Sequence, residues 1–128
     1  MSRKSKGINA ERDLIHKFWG KSWAAVRIAG SGSMKYPSSD ILATNKIRKV
    51  AIECKTCGKN NKYMTKDEIN QLKTFSDLFG SEPWIAIKFD RHEWLFISPD
   101  DLKNTGNNFL VSLDIAEKKG LLFEEFIV

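Results

Sequence analysis

The chain has 128 residues, 41% hydrophobic and 29% charged, which fits one globular domain with a single core. No run reaches the roughly 18 apolar residues of a membrane span, and the basic start "MSRKSKG" leads into no apolar segment, so an intracellular protein without a signal peptide is expected. The net charge of +5 is uneven: residues 1–66 carry 15 Lys/Arg against 4 Asp/Glu, residues 67–128 carry 6 against 12. A basic half suits a polyanion such as nucleic acid, although a solvated basic face has the same counts.

Residues 8–20 are expected to form a helix with Asn9 as N-cap and Leu14, Ile15, Phe18 and Trp19 as its apolar stripe. A strand follows from Trp23 to Ala29, then a Gly/Ser-rich loop over 30–39. Residues 39–44 and 49–56, "SDILAT" and "KVAIECKT", read as two strands joined by a turn at 45–48. After a polar loop at 57–64, Thr65 and Glu68 form a capping box for a second helix, with Ile69, Leu72, Phe75 and Phe79 inward and Gly80 as C-cap. Trp84 to Phe89 and Trp94 to Ile97 read as strands joined by a turn at 90–93. A helical turn is expected at Pro99 to Leu102 and a short strand or helix from Phe109 to Leu113; the tail after Gly120 has no clear pattern. The order αβββαββ argues for an α/β fold, a central mixed sheet flanked by helices.

Three charges sit where a sheet usually buries side chains. A turn symmetric about Lys46 and Ile47 places Ile41 opposite Ile52, Ala43 opposite Val50, and Asp40 opposite Glu53. Ile41, Ala43, Val50, Ile52 and Cys54 then share one face, and Asp40, Glu53 and Lys55 the other. Opposed carboxylates repel unless something intervenes. A divalent cation such as Mg²⁺, which takes one or two carboxylates plus waters and phosphate, would turn repulsion into attraction. Lys55 beside it could stabilise phosphate charge or orient water; it could equally form a plain salt bridge with Glu53 or Asp40. Glu11, on the stripe of Leu14 and Ile15, points toward the sheet as a third carboxylate or as a partner of the helix dipole. Arg27, inside a strand, could pair with one of these acids or bind phosphate.

Cys54 and Cys57 form an isolated C-x-x-C. With only His16 and His92 beside them, no four-ligand zinc set is evident, and Gly58 to Asn61 is not the helix start a thioredoxin-like site would have. One buried and one loop thiol is the simpler reading.

Ala10-Glu11-Arg12, "AAVRIAGSGS" (24–33), Asp40-Ile41, Ile52-Glu53-Cys54-Lys55, Gln71 to Phe75 and "IAIKF" (85–89) together resemble the archaeal-type Holliday junction resolvases. These are PD-(D/E)xK nucleases with a restriction-endonuclease-like core. The likeness runs in order along most of the chain and loosens after residue 100. It implies one nuclease domain over 1–128, with residues 1–7 a flexible basic arm. It implies that Glu11, Asp40 and Glu53 hold Mg²⁺ or Mn²⁺, with the Cys54 backbone carbonyl a further ligand, and that Lys55 is the catalytic lysine. Arg3, Lys4, Lys6, Arg12, Arg27, Ser31, Ser33, Lys35 and Lys88 would contact DNA. Phe75, Phe79 and Trp84 would lie at a homodimer interface, since matched cuts in a four-way junction call for two equivalent sites. Ser39 stands where the motif has proline. Other readings are a small nuclease of the same fold acting on duplex or forked DNA, a noncatalytic DNA-binding module, and a thiol or zinc protein.

Overall fold

The hairpin that carries the charged trio is the centre of the molecule. In the computed structural model, which describes residues 3–30 and 35–128 with side chains from residue 6 onward, β2 (Ile41–Thr44) and β3 (Lys49–Cys57) pair antiparallel. Ile41 stands opposite Ile52 and Ala43 opposite Val50, as the segregation of faces requires. Asn45 fixes the turn, its side-chain oxygen accepting from the N–H groups of Ile47 (3.0 Å) and Arg48 (2.7 Å). β1 (Ala24–Arg27) pairs antiparallel with β2. On the other side of β3, β5 (Glu82–Phe89) runs parallel, followed by antiparallel β6 (Leu95–Ile97) and β9 (Leu121–Leu122). The sheet is therefore mixed, in the order β1-β2-β3-β5-β6-β9.

Helices cover both faces. Leu14 and Phe18 of α1 (Arg3–Trp19) bury against Trp23, Ile41, Val50 and Ile52. Aromatic rings from the tail complete this side: α4 (Phe123–Phe126) stacks Phe126 on Phe96 at 4.2 Å and sets Phe123 edge-on to Phe18 at 5.3 Å. Arg48 clasps the tail, bonding Glu82 through two nitrogens at 2.9 Å and donating to the Phe126 carbonyl. On the opposite face α2 (Lys66–Phe79) packs Ile69 and Leu72 over Ala51, Ile85 and Ile87. No helix among the described residues is long and apolar enough to cross a membrane.

The structure departs from the sequence reading in four places. First, α1 begins at Arg3, so Asn9 lies inside the helix and is not its N-cap, and Arg3 to Gly7, read as a free arm, occupy the first turns. Arg and Lys are good helix formers, and one glycine costs only about 1 kcal/mol. Second, 57–64 is not one polar loop: β3 runs on to Cys57, and β4 (Asn61–Thr65) joins a second sheet, in the order β4-β8-β7, with β7 (Lys103–Asn104) and β8 (Asn108–Ser112). Third, the buried stripe of α2 is Ile69, Leu72 and Ser76, whereas Phe79 is 48% exposed and stacks on Phe75. Fourth, Cys57 is a buried strand residue, its thiol within 3.3 Å of the Lys59 and Asn61 carbonyls. α3 (Leu113–Lys119) links the second sheet to β9.

Candidate active site

Backbone hydrogen bonds on both sides hold Asp40 at the mouth of the hairpin. Its N–H donates to the Ile52 carbonyl (3.0 Å) and its carbonyl accepts from Ile28 N–H (2.8 Å). Ser39, which stands where the motif has proline, is buried with its hydroxyl donating to the Ile41 carbonyl (3.1 Å). One oxygen of the Asp40 carboxylate accepts the Cys54 N–H at 2.9 Å. The Cys54 carbonyl projects from the same edge of β3 as that N–H, on the Asp40 side.

Glu53 meets Asp40 across this opening. The two carboxyls lie near enough for the Asp40 charge to act on Glu53. Burial, and after it the Asp40 charge, pushes the Glu53 carboxyl from its ordinary 4.5 up to about 8. Glu11 approaches from α1, where its carboxylate accepts from Arg27 Nε at 2.7 Å. Burial raises the Glu11 carboxyl; the bond from Arg27 opposes this and the Asp40 charge adds to it. The Cys54 thiol packs against the α1-side core, and burial first, then the charges of Asp40, Glu11 and Glu53, push it well above its ordinary value, so it is a poor nucleophile.

This donor set suits a hard divalent cation. Glu53 and Asp40 carry excess negative charge that a proton offsets here and a cation could offset instead. Among the described residues no three Asp, Glu, His or Cys side chains gather closely enough to cage a metal unaided. The expected three-carboxylate set is thus a close pair, Asp40 and Glu53, with Glu11 held aside by Arg27. Mg²⁺ accepts such a partial set and completes it with waters and substrate phosphate.

Lys55 lies on the Glu53 face of β3, and its ammonium is paired with two carboxylates. It stands 2.7 Å from Glu68 Oε1 on α2 and 3.6 Å from Glu53 Oε2. Burial alone would lower the Lys55 ammonium; the bond to Glu68 and the charges of Glu53, Glu68 and Asp40 outweigh it and raise it. Burial likewise would raise Glu68, but Lys55 and the Thr65 N–H bring it below its ordinary value. Sequence reasoning saw Glu68 only as a helix cap, because its position three residues after Thr65 already accounts for it.

An open cleft of about 570 Å³ adjoins these residues, lined by Lys6, Glu11, Cys54, Lys55, Lys59 and Lys62 among others. Lys59 and Lys62 were missed in the sequence; the β3–β4 turn carries Lys59 into the cleft and the start of β4 carries Lys62 there. Lys6 also pairs with Asp90 at 3.1 Å. Arg12 and Lys35 are exposed, whereas the Lys88 ammonium is bound to the His92 carbonyl (2.7 Å), closing the β5–β6 turn. Ser31 and Ser33 lie outside the described residues, as do the side chains of Arg3 and Lys4.

A mixed sheet, helices on both faces and a D…E-x-K set at the mouth of its central hairpin define a restriction-endonuclease-like fold. A family profile described as "Archaeal holliday junction resolvase (hjc)" matches residues 2–128. Crossover junction endodeoxyribonuclease Hjc of Archaeoglobus fulgidus is 40% identical over 129 residues, covering 95% of each chain. Its namesake in Methanocaldococcus jannaschii is 37% identical over 106 residues, 83% of this chain and 75% of the relative. The solved structure of Archaeoglobus fulgidus Hjc, a Holliday junction resolvase, superposes with a TM-score of 0.90 at 35% identity, covering 95% of this chain and all of that one. This chain belongs to the archaeal Holliday junction resolvase family.

Proposed function

We propose that this chain is a metal-dependent, structure-selective endonuclease that resolves four-way DNA junctions by paired symmetric phosphodiester hydrolysis, acting inside the cell where such DNA is found. The observation that carries this is the Asp40–Glu53 pair, with Lys55 beside it, next to a lysine-lined cleft. Asp40, Glu53 and the Cys54 carbonyl would hold Mg²⁺ or Mn²⁺, with Glu11 joining once a phosphate draws Arg27 away. A bound cation would polarise the scissile phosphate and lower the pKa of an attacking water. Lys55 would stabilise the charge that grows on the phosphate. Lys6, Lys59, Lys62, Arg12, Arg27 and Lys35 would bind backbone phosphates, with Arg3, Lys4, Ser31, Ser33 and Lys88 as further contacts, so affinity should fall steeply with salt.

The test is cleavage of a labelled four-way junction beside duplex and forked DNA with the same arms, in Mg²⁺ and in EDTA. Symmetric paired cuts in the junction alone, with metal only, are expected. Equal cutting of all three substrates would leave a general nuclease, and binding without cutting a noncatalytic module.

Paired cuts call for two sites, which a second copy of the chain would supply through a surface away from the cleft. Val26 (56% exposed), Leu42 and Phe79 line an apolar groove where α2 stops short of β1 and β2. Phe75 and Phe79 were expected here together with Trp84; Trp84 instead faces the α1 side, edge-on to Phe126 at 5.0 Å, with its indole N–H bonded to Glu82. Phe79→Asp should convert a dimer to a monomer in sedimentation. It should also replace paired cuts by unpaired nicks and weaken junction binding about 10²-fold through lost bivalency. A variant that stays dimeric and cuts in pairs would move the interface elsewhere.

A further inference from the structure

Two residues apart on one face of a strand, Glu53 and Lys55 would by default pair with each other. They do so only loosely: the ammonium forms an ion pair with Glu53 at 3.6 Å, beyond hydrogen-bond range, and a shorter one with Glu68 at 2.7 Å. We propose that Glu68 is a positioning residue that draws the Lys55 ammonium toward α2 and keeps its pairing with Glu53 loose, leaving Glu53 oxygens for the metal and Lys55 beside the phosphate. The inference rests on the roles given above to Glu53 and Lys55.

The geometry divides the Glu68 carboxylate between two tasks. Oε2 accepts the Thr65 N–H at 2.8 Å, closing a capping box whose other half is Glu68 N–H donating to Thr65 Oγ1 at 3.0 Å. Oε1 is left for Lys55. The box fixes Glu68 to the first turn of α2, and Ile69 and Leu72 anchor that helix on the sheet. The ammonium is therefore placed by a docked helix end rather than by its own flexible stem. A cap does not need the charge, since glutamine serves equally at this position. The negative charge of the second oxygen is accounted for by Lys55.

Glu68→Gln keeps a capping residue and removes the charge, so Lys55 should swing onto Glu53 and compete with the metal. Three measurements on the full chain decide the matter: calorimetric Mn²⁺ binding without DNA, single-turnover junction cleavage against Mg²⁺ concentration, and junction affinity in EDTA. In E68Q, Mn²⁺ affinity should fall about 10-fold and the half-saturating Mg²⁺ rise by a similar factor, as for other partners that orient metal-site groups. Junction affinity in EDTA should stay within about twofold of the parent, because Glu68 makes no phosphate contact in this scheme. Thr65→Ala, which removes only the hydroxyl half of the cap, should melt earlier with Mn²⁺ affinity unchanged. In a Lys55→Met background, E68Q should no longer affect Mn²⁺ affinity. Parental Mn²⁺ affinity in E68Q, or a loss reproduced by Thr65→Ala, would overturn the inference while leaving the nuclease reading intact. Undiminished cleavage by Lys55→Met would overturn the catalytic-lysine reading, and this inference with it.

Discussion

Asp40→Asn should abolish junction cleavage, by about 10³-fold or more, and leave junction binding within a few-fold of the parent. The substitution is mild for the fold. Asparagine keeps an oxygen for the Cys54 N–H, and the backbone bonds from Asp40 to Ile52 and to Ile28 are untouched. What it removes is a charge that raises Glu53, Glu11 and Cys54 together. Stability in EDTA should therefore rise, not fall, because fewer acids crowd one site. Higher melting temperature with lost activity is the pattern of a residue kept for chemistry at some cost to stability. Asp40→Ala should differ in one respect: without an acceptor for the Cys54 N–H it forfeits about 1 kcal/mol of that gain. Gel-based cleavage, anisotropy binding and thermal melts on the two variants check this. A destabilised D40N that still cuts would make Asp40 a structural residue.

The hairpin at the heart of this site was legible because both of its faces are committed. A one-residue slip of β2 against β3 would exchange Ile41, Ala43, Val50 and Ile52 for the charged set, so the sequence admits a single register. The capping box at Thr65 and the Gly80 C-cap, at φ 79°, were legible for a similar local reason. The second sheet was not. β4 is short and polar, and its partner β8 lies beyond α2, β5 and β6, so nothing near Asn61–Thr65 announces the pairing. Phe79 was read as core because periodicity reports a helix stripe, while the end of α2 leaves the neighbouring β1–β2 surface uncovered and Phe79 48% exposed at the groove beside it. The tail aromatics Phe123 and Phe126 become core only once β9 carries them beneath α1. Of the site, the residues on β3 were readable as a pattern, whereas the Glu68–Lys55 contact joins a helix start to a strand and has no sequence period to reveal it.

Raising the pH in EDTA should destabilise the protein across the window from about 4.5 to about 8, and Glu53 is the cause. Unfolded, this carboxyl ionises near its ordinary 4.5; folded and without metal it keeps its proton to about 8. Between those values the folded state binds more protons than the unfolded one, so stability is greatest at the acid end and declines as pH rises. Above 8 both states are ionised and the loss is complete, on the order of a few kcal/mol. Glu11, also raised, acts in the same direction. Glu68 and Glu82 are lowered, so their contributions vanish only below 4.5, and that of Lys55, raised from 10.5, only in strong alkali. Glu53→Gln should flatten the profile and melt at least ~3 °C above the parent at pH 8.5 in EDTA. If Mg²⁺ takes the place of the proton at these carboxylates, as proposed above, it should stabilise the parent far more at pH 8.5 than at pH 5, and E53Q hardly at either. Thermal melts at both pH values, with and without metal, for the two proteins, suffice. A parent whose melting temperature is flat from pH 5 to 8.5 in EDTA would mean that Glu53 ionises freely, and the crowded acid pair would no longer explain a demand for metal.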